Sequence, residues 1–134
     1  MANTTFNGPV RSENGFESIT KDATTGAITI NATYGTSITG GVQSLSGAGA
    51  VDLTNLITEL TTTGADALTL ADGTTSGQVK IVTMIVDGGD GTLTPVTFAN
   101  GTTITFDAVA DSATLVWNST IGWVATSVQG ATIA

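Results

Sequence analysis

From residue 65 to the end of the chain, short segments rich in β-branched residues alternate with turn sequences at regular intervals. Asp-Gly and Asn-Gly pairs mark these turns, because Gly and Asn adopt backbone angles that other residues avoid. Thr supplies 28 of the 134 residues, and its branched side chain suits a pleated, half-buried surface. The sequence therefore predicts an all-β fold, either a single small β-sandwich or a jelly-roll-like barrel.

The predicted strands begin with residues 27–34, where apolar and polar side chains alternate. Residues 35–50 predict a long connection with a short strand near Val42. Residues 51–60 predict a strand, with one helical turn as the alternative because their leucines and isoleucine also fit helical spacing. The other predicted strands cover residues 67–70, 78–86, 92–96, 103–106, 113–117 and 123–128. We find no repeat of the length that marks a solenoid.

Two details of these strands lead to specific expectations. Residues 78–86 are largely apolar on both faces after Lys80, which predicts a central strand covered on both sides. Lys80 itself is expected to be solvated or at a sheet edge. Trp117 and Trp123 flank a short loop and are expected to meet as a cross-strand pair, as core residues rather than as a sugar-binding platform.

The first 22 residues differ from the rest, because their apolar residues follow neither strand nor helix spacing. We expect an extended N-terminal arm over residues 1–22 and a β-sandwich or jelly-roll-like body over residues 23–134. A frayed terminus is the alternative. Such an arm is long enough to reach a neighbouring subunit. Its candidate partner-binding residues are Phe6, Pro9, Val10, Arg11 and Phe16.

Composition excludes several functions. The chain has no Cys and no His, so thiolate nucleophiles, soft metal sites and His-based catalysis are absent. Its net charge of −8 disfavours binding to nucleic acid and to anionic membranes. No apolar run is long enough to span a membrane, and no secretion signal is visible. We expect a protein that is not an enzyme, needs no cofactor and is structural or adhesive.

The acidic turns are the remaining candidates for chemistry. Asp87 and Asp90 are compatible with a calcium loop, but hairpin-turn residues are the favoured interpretation, and no metal site is predicted. Asp107 and Asp111 are spaced as a carboxylate pair, although turn residues again fit better. Lys80 as a catalytic base is a third, weaker possibility.

Several turn and strand sequences of residues 43–134 resemble a module of virion structural proteins from tailed bacteriophages, especially marine phages and cyanophages. The matching stretches are residues 43–50, 61–73, 77–80, 87–91, 101–106, 113–117, 122–124 and 130–132. Residues 8–16 are similar to an arm that precedes this module. The family has no catalytic residues to carry over.

The resemblance implies a capsid decoration (cement) protein on the outer surface of the phage head, made in the host cytoplasm. Such a protein would assemble as a homotrimer and bind the major capsid protein, bridging neighbouring subunits to stabilise the shell. In this hypothesis the apolar arm residues dock on the capsid and Arg11 pairs with an acidic site there. The alternative is a tail-fibre or receptor-binding module, which would present an exposed aromatic such as Trp123 or Tyr34 to a host glycan.

Overall fold

The computed structural model describes residues 16–34 and 41–134, which belong to two compact units. The N-terminal unit contains an antiparallel hairpin of β1 (Phe16–Lys21) and β2 (Ile28–Tyr34). Asp22 closes the turn between them. Its carboxylate accepts hydrogen bonds from the backbone amides two and three residues further on, at 2.8 and 2.7 Å, as is typical of Asx turns.

This hairpin bears on two of the predictions. The strand predicted over residues 27–34 is confirmed by β2. The boundary predicted after residue 22 falls inside the hairpin turn, so residues 16–21 are paired with β2 instead of belonging to an unpaired arm. Local spacing missed β1 because its pairing partner, rather than an apolar alternation of its own, makes it a strand.

The C-terminal unit consists of two five-stranded sheets, and its described residues contain no helix. Its strands are β3 (Val42–Ser46), β4 (Gly49–Val51), β5 (Ile57–Thr61), β6 (Asp66–Leu70), β7 (Val79–Val86), β8 (Gly91–Pro95), β9 (Ile104–Phe106), β10 (Ser112–Asn118), β11 (Gly122–Gln129) and β12 (Thr132–Ile133). The first sheet has the order β11-β10-β7-β5-β3 and the second has the order β12-β9-β8-β6-β4. The unit is a small β-sandwich, which confirms the predicted all-β class.

The chain passes from one sheet to the other after each of the strands β3 to β7. As a result β3, β5 and β7 are parallel neighbours in the first sheet, and β4, β6 and β8 are parallel neighbours in the second. The remaining strands add antiparallel edges, with β10 and β11 forming a hairpin on one sheet and β9 and β12 extending the other. A jelly roll is antiparallel throughout, so the structure is the sandwich and not the barrel.

The predictions for the shortest strands were right in part. The short strand predicted near Val42 is confirmed by β3, whereas β4 was not predicted. Residues 57–61 form the strand predicted in the ambiguous stretch, and no helical turn is present there. The short strand β12 was not predicted, because its two paired residues are too few to show an alternating pattern of apolar and polar side chains.

The core lies between the sheets and is filled by alternate residues of each strand. Large aliphatic and aromatic side chains from both sheets meet there. Those fully or almost fully buried are Val51, Leu60, Leu68, Leu70, Val82, Met84, Leu93, Ile104, Phe106, Ala113, Leu115, Trp117 and Trp123. Trp117 and Trp123 lie opposite each other on β10 and β11, with ring centroids 5.4 Å apart at 60°, which confirms the predicted cross-strand pair.

Strand β7 is central in its sheet, as predicted, but among residues 41–134 only the second sheet covers it, and on one face. Lys80, Val82 and Met84 point into the core, whereas Val79 and Ile85 are 37% and 44% exposed. The expectation for Lys80 was also wrong, because its side chain is 1% exposed instead of solvated. Alternation places it on the inner face, two residues before Val82.

At one edge of the sandwich, successive crossing turns lie directly against each other. The amide of Gly88 donates a hydrogen bond to Thr62 Oγ1 at 2.9 Å, and the amide of Asp66 donates to the carbonyl of Asp90 at 2.8 Å. A Cβ on Gly89 would lie 2.7 Å from the carbonyl carbon of Gly64, and Gly89 has a φ of 141°. A residue with a side chain at Gly89 would therefore force these turns apart.

We expect Gly89→Ala to lower the free energy of unfolding by about 1–3 kcal/mol, because it adds backbone strain and a contact with the backbone of Gly64. Gly64→Ala is the matched control, since a Cβ on Gly64 meets nothing within 4 Å. Its effect should stay within about 1 kcal/mol. Urea unfolding of both variants measures the difference, and equal stabilities would contradict the proposed packing of the turns.

Candidate functional site

The predicted arm residues cannot be placed in a site. Phe6, Pro9, Val10 and Arg11 lie outside the described residues. Phe16 begins β1 and is paired with Tyr34 of β2. The surfaces of the sandwich are therefore the remaining place for a binding site among the described residues.

The outer face of the first sheet carries a continuous band of apolar side chains, here called the apolar strip. It is made of outward residues whose chain neighbours point into the core. Strand pairing forms two adjacent rows. Val42, Ile57 and Ile81 lie side by side on β3, β5 and β7. The second row is formed by Val79, Val116 and Val124 on β7, β10 and β11. The six residues are Val42, Ile57, Ile81, Val79, Val116 and Val124.

The apolar strip is accessible and almost free of charge. Val42 is 51% exposed and Val79 is 37% exposed, and the other four residues are half-buried among their neighbours. Among the outward residues of the five strands, Glu59 is the single charged side chain, and it lies between Ser44 and Thr83. An exposed apolar surface of this kind is typical of a site that binds another protein.

The outer face of the second sheet is chemically different. Its outward positions are occupied by threonines and alanines, and none is charged. These residues are Ala50, Ala67, Thr69, Thr92, Thr94, Thr105 and Thr132. Threonine hydroxyls form hydrogen bonds with water, so burying this face costs more free energy than burying the apolar strip. The apolar strip is the better candidate for a contact surface.

Two of the acidic residues that were candidates for chemistry, Asp87 of the calcium loop and Asp111 of the carboxylate pair, accept hydrogen bonds from backbone amides in their own turns. Asp87 Oδ1 accepts a hydrogen bond from the amide of Gly89 at 2.9 Å. Asp111 Oδ2 accepts hydrogen bonds from the amides of Asp107 and Ala108 at 2.9 and 3.0 Å. Asp87 and Asp111 lie in turns, as predicted, but the turn at Asp87 joins β7 to β8 of the other sheet and is therefore not the predicted hairpin turn. Within residues 16–34 and 41–134, no three His, Cys, Asp or Glu side chains are grouped as metal ligands would be.

Asp107 is nevertheless affected by its neighbours. A side-chain hydrogen bond to Asp111 and the negative charge of Asp111 raise the pKa of Asp107 above its ordinary value, and the charge of Asp90 adds to this. The hydrogen bond is the larger cause, and repulsion between the two carboxylates adds to it.

Sequence reasoning missed one polar cluster, which is centred on Lys80. Lys80 Nζ donates a hydrogen bond to the backbone carbonyl of Asn55 at 2.7 Å and lies 3.6 Å from Asp52 Oδ1. The side-chain amide of Asn55 donates to Asp52 Oδ2 at 2.6 Å. Burial lowers the pKa of Lys80, and the charge of Asp52 partly offsets this. Burial alone would raise the pKa of Asp52, but the hydrogen bonds from Asn55 and the charge of Lys80 hold it below its ordinary value.

A signal for this cluster was present in the sequence. Lys80 has the same parity as Val82 and Met84, two apolar residues of one strand, so alternation alone places it on the inner face. Its partners could not be identified in the same way. Asp52 and Asn55 precede a different strand, and only the parallel pairing of β5 with β7 brings them to Lys80.

Comparisons with known proteins give no relative from which a function could be inferred. No protein-family model matches the chain, and no curated protein matches it. In the part of the chain that is described, no helix is long and apolar enough to cross a membrane. Function therefore has to be argued from the surfaces and the polar clusters of the chain itself.

We expect Asp107→Asn to raise the melting temperature at neutral pH, because it removes the repulsion from Asp111. The raised pKa of Asp107 means that its contribution to stability is present at acidic pH and lost as pH rises through the folded-state pKa. The gain should therefore shrink as pH falls and the wild-type carboxyl becomes protonated.

Melting curves from acidic to neutral pH measure this gain. Asp87→Asn is the control, since it removes the same charge from the neighbouring turn and an amide oxygen can still accept the hydrogen bond from Gly89. A gain of equal size and equal pH dependence in both variants would show that total charge, and not the Asp107–Asp111 pair, is responsible.

Proposed function

We propose that this protein is a structural component of a bacteriophage particle, a capsid decoration protein that binds the outside of the head. The observation that carries the proposal is the apolar strip on the outer face of the first sheet. Removing an uncharged apolar surface from water favours association, and interface cores are depleted of charged residues. The virion setting comes from the resemblance of residues 43–134 to phage structural modules.

The charges of the sandwich indicate the kind of capsid surface that it would bind. Residues 41–134 contain eight carboxylates, and their one cation, Lys80, is buried in the core. The surface of this unit is therefore negative and attracts a partner with basic groups. A capsid protein that covers the apolar strip and offers basic groups to its acidic surroundings is the partner that this surface fits best.

The location in the particle is tested by immunogold electron microscopy of intact virions, with antibodies raised against the chain. Label distributed over the head supports the decoration role. Label confined to the tail would replace that role with a function in attachment or tail architecture. Particles without label at either place would overturn the virion assignment.

We expect Ile81→Asp to weaken binding to undecorated phage heads by about tenfold or more, a loss of about 1.4 kcal/mol, because it puts a charge in the centre of the apolar strip. Co-sedimentation with the heads measures the bound fraction. Thr92→Asp introduces the same charge on the outer face of the second sheet and should bind like the wild type. Equal binding by both variants would show that the apolar strip is not the contact surface.

The homotrimer implied by the resemblance stays a prediction. Light scattering of the purified chain should give three times the mass of one chain, and the mass of a single chain would contradict it. The result is independent of the Ile81→Asp experiment, since self-association and capsid binding use separate measurements.

A further inference from the structure

The amine of Lys80 is held at an unusual place for a lysine. Its side chain is 1% exposed and lies on the inner face of β7, the central strand of its sheet. A buried ammonium group loses its hydration, and one carboxylate at 3.6 Å is an incomplete replacement. The other contact is the backbone carbonyl of Asn55 at 2.7 Å. This environment favours the uncharged amine, which is a nucleophile.

The carboxamide of Asn55 lies in the same cluster. Its Nδ2 donates a hydrogen bond to Asp52 Oδ2 at 2.6 Å, and its backbone amide donates to Asp52 Oδ1 at 2.8 Å. The other side of the Asn55 side chain lies against Gly41, where no larger residue would fit. One carboxylate thus contacts both a buried amine and a fixed amide, through its two oxygens.

We propose that Lys80 and Asn55 become joined by an intramolecular isopeptide bond, with Asp52 carrying the proton between them. The carboxylate of Asp52 accepts a proton from Lys80 Nζ, and the uncharged amine attacks Asn55 Cγ. The Nζ–Cγ bond forms, the Cγ–Nδ2 bond breaks, and Asp52 returns its proton to the departing nitrogen. Of the two protons left on Nζ, one stays on the new amide nitrogen and the other passes to the departing nitrogen, so the products are a secondary amide and one ammonium ion.

The fold supplies what this reaction needs. Loop residues 52–56 and strand β7 hold the amine, the amide and the carboxyl together, which replaces an encounter in solution with a fixed arrangement. Burial lowers the pKa of Lys80 and so increases the uncharged fraction of the amine. The product would tie the loop before β5 to the central strand. A chain without Cys has no disulfide for that purpose. The inference is independent of the capsid role.

Trypsin gives a direct test, because the chain has only three tryptic sites, Arg11, Lys21 and Lys80. Trypsin does not cut after a lysine whose amine is acylated. We expect the unfolded wild-type protein to stay uncut after Lys80 and to yield residues 22–134 as one fragment. The mass of this fragment should be lower than its sequence mass by one ammonia. Digestion with a second protease and tandem mass spectrometry should identify Asn55 joined to Lys80.

Lys80→Arg is the matched control. Arginine keeps a positive charge and a tryptic site but does not form the bond, so this variant should be cut after residue 80 and keep its full mass. The control also excludes succinimide formation at Asn100-Gly101, which loses one ammonia but would persist in Lys80→Arg. Asn55→Ser, with Lys80 unchanged, should likewise be cut after residue 80.

Two results would overturn the proposal. Wild-type protein that is cut after Lys80 and has its full sequence mass contains no such bond, whatever the variants do. If the wild type is cross-linked and Asp52→Asn is cross-linked to the same extent, then Asp52 is not the proton carrier. An Asp52→Asn variant that is cut after Lys80 supports the assignment of that role.

Discussion

From β3 to β8 the chain winds between the two sheets, and each pair of successive strands, one from each sheet, forms one coil of this winding. At one edge of the sandwich, the backbone of one crossing turn lies against the backbone of the next. Gly88 and Gly89 pack against residues 62–64, and the hydrogen bond from Gly88 to Thr62 joins the two turns. The parallel order of β3, β5 and β7, and of β4, β6 and β8, depends on this close stacking. The parallel strand order also determines the composition of the two outer faces, because it sets which residues become neighbours on each face.

The same parallel order determines where the polar groups lie. Inward alternation on β7 buries Lys80, and the pairing of β5 with β7 brings the loop containing Asp52 and Asn55 to it. A lysine in a sandwich core is unfavourable unless its amine is paired or uncharged. The cluster therefore has a cost in stability, and the proposed isopeptide bond would remove the charge that causes it.

The outer faces divide the surface of the sandwich by chemistry. The first sheet presents the apolar strip and the second presents threonines, although both sheets have the same alternating pattern. Acidic residues occupy the turns, where Asp87 and Asp111 accept hydrogen bonds from backbone amides. A body of this kind has one face suited to contact with a protein and a remaining surface that stays hydrated and negative.

The sequence by itself determined the all-β class, most of the strands from β5 onward, and the pairing of Trp117 with Trp123. These features rest on alternation and turn residues, which are local along the chain. Tertiary structure alone decided the parallel winding, the apolar strip and the partners of Lys80. Parallel neighbours such as Ile57 and Ile81 are separated along the chain by a complete coil. Because the coils differ in length, no local sequence pattern predicts which strands will pair. The physical reason is that strand alternation specifies a face, whereas pairing between distant strands specifies the neighbours on that face.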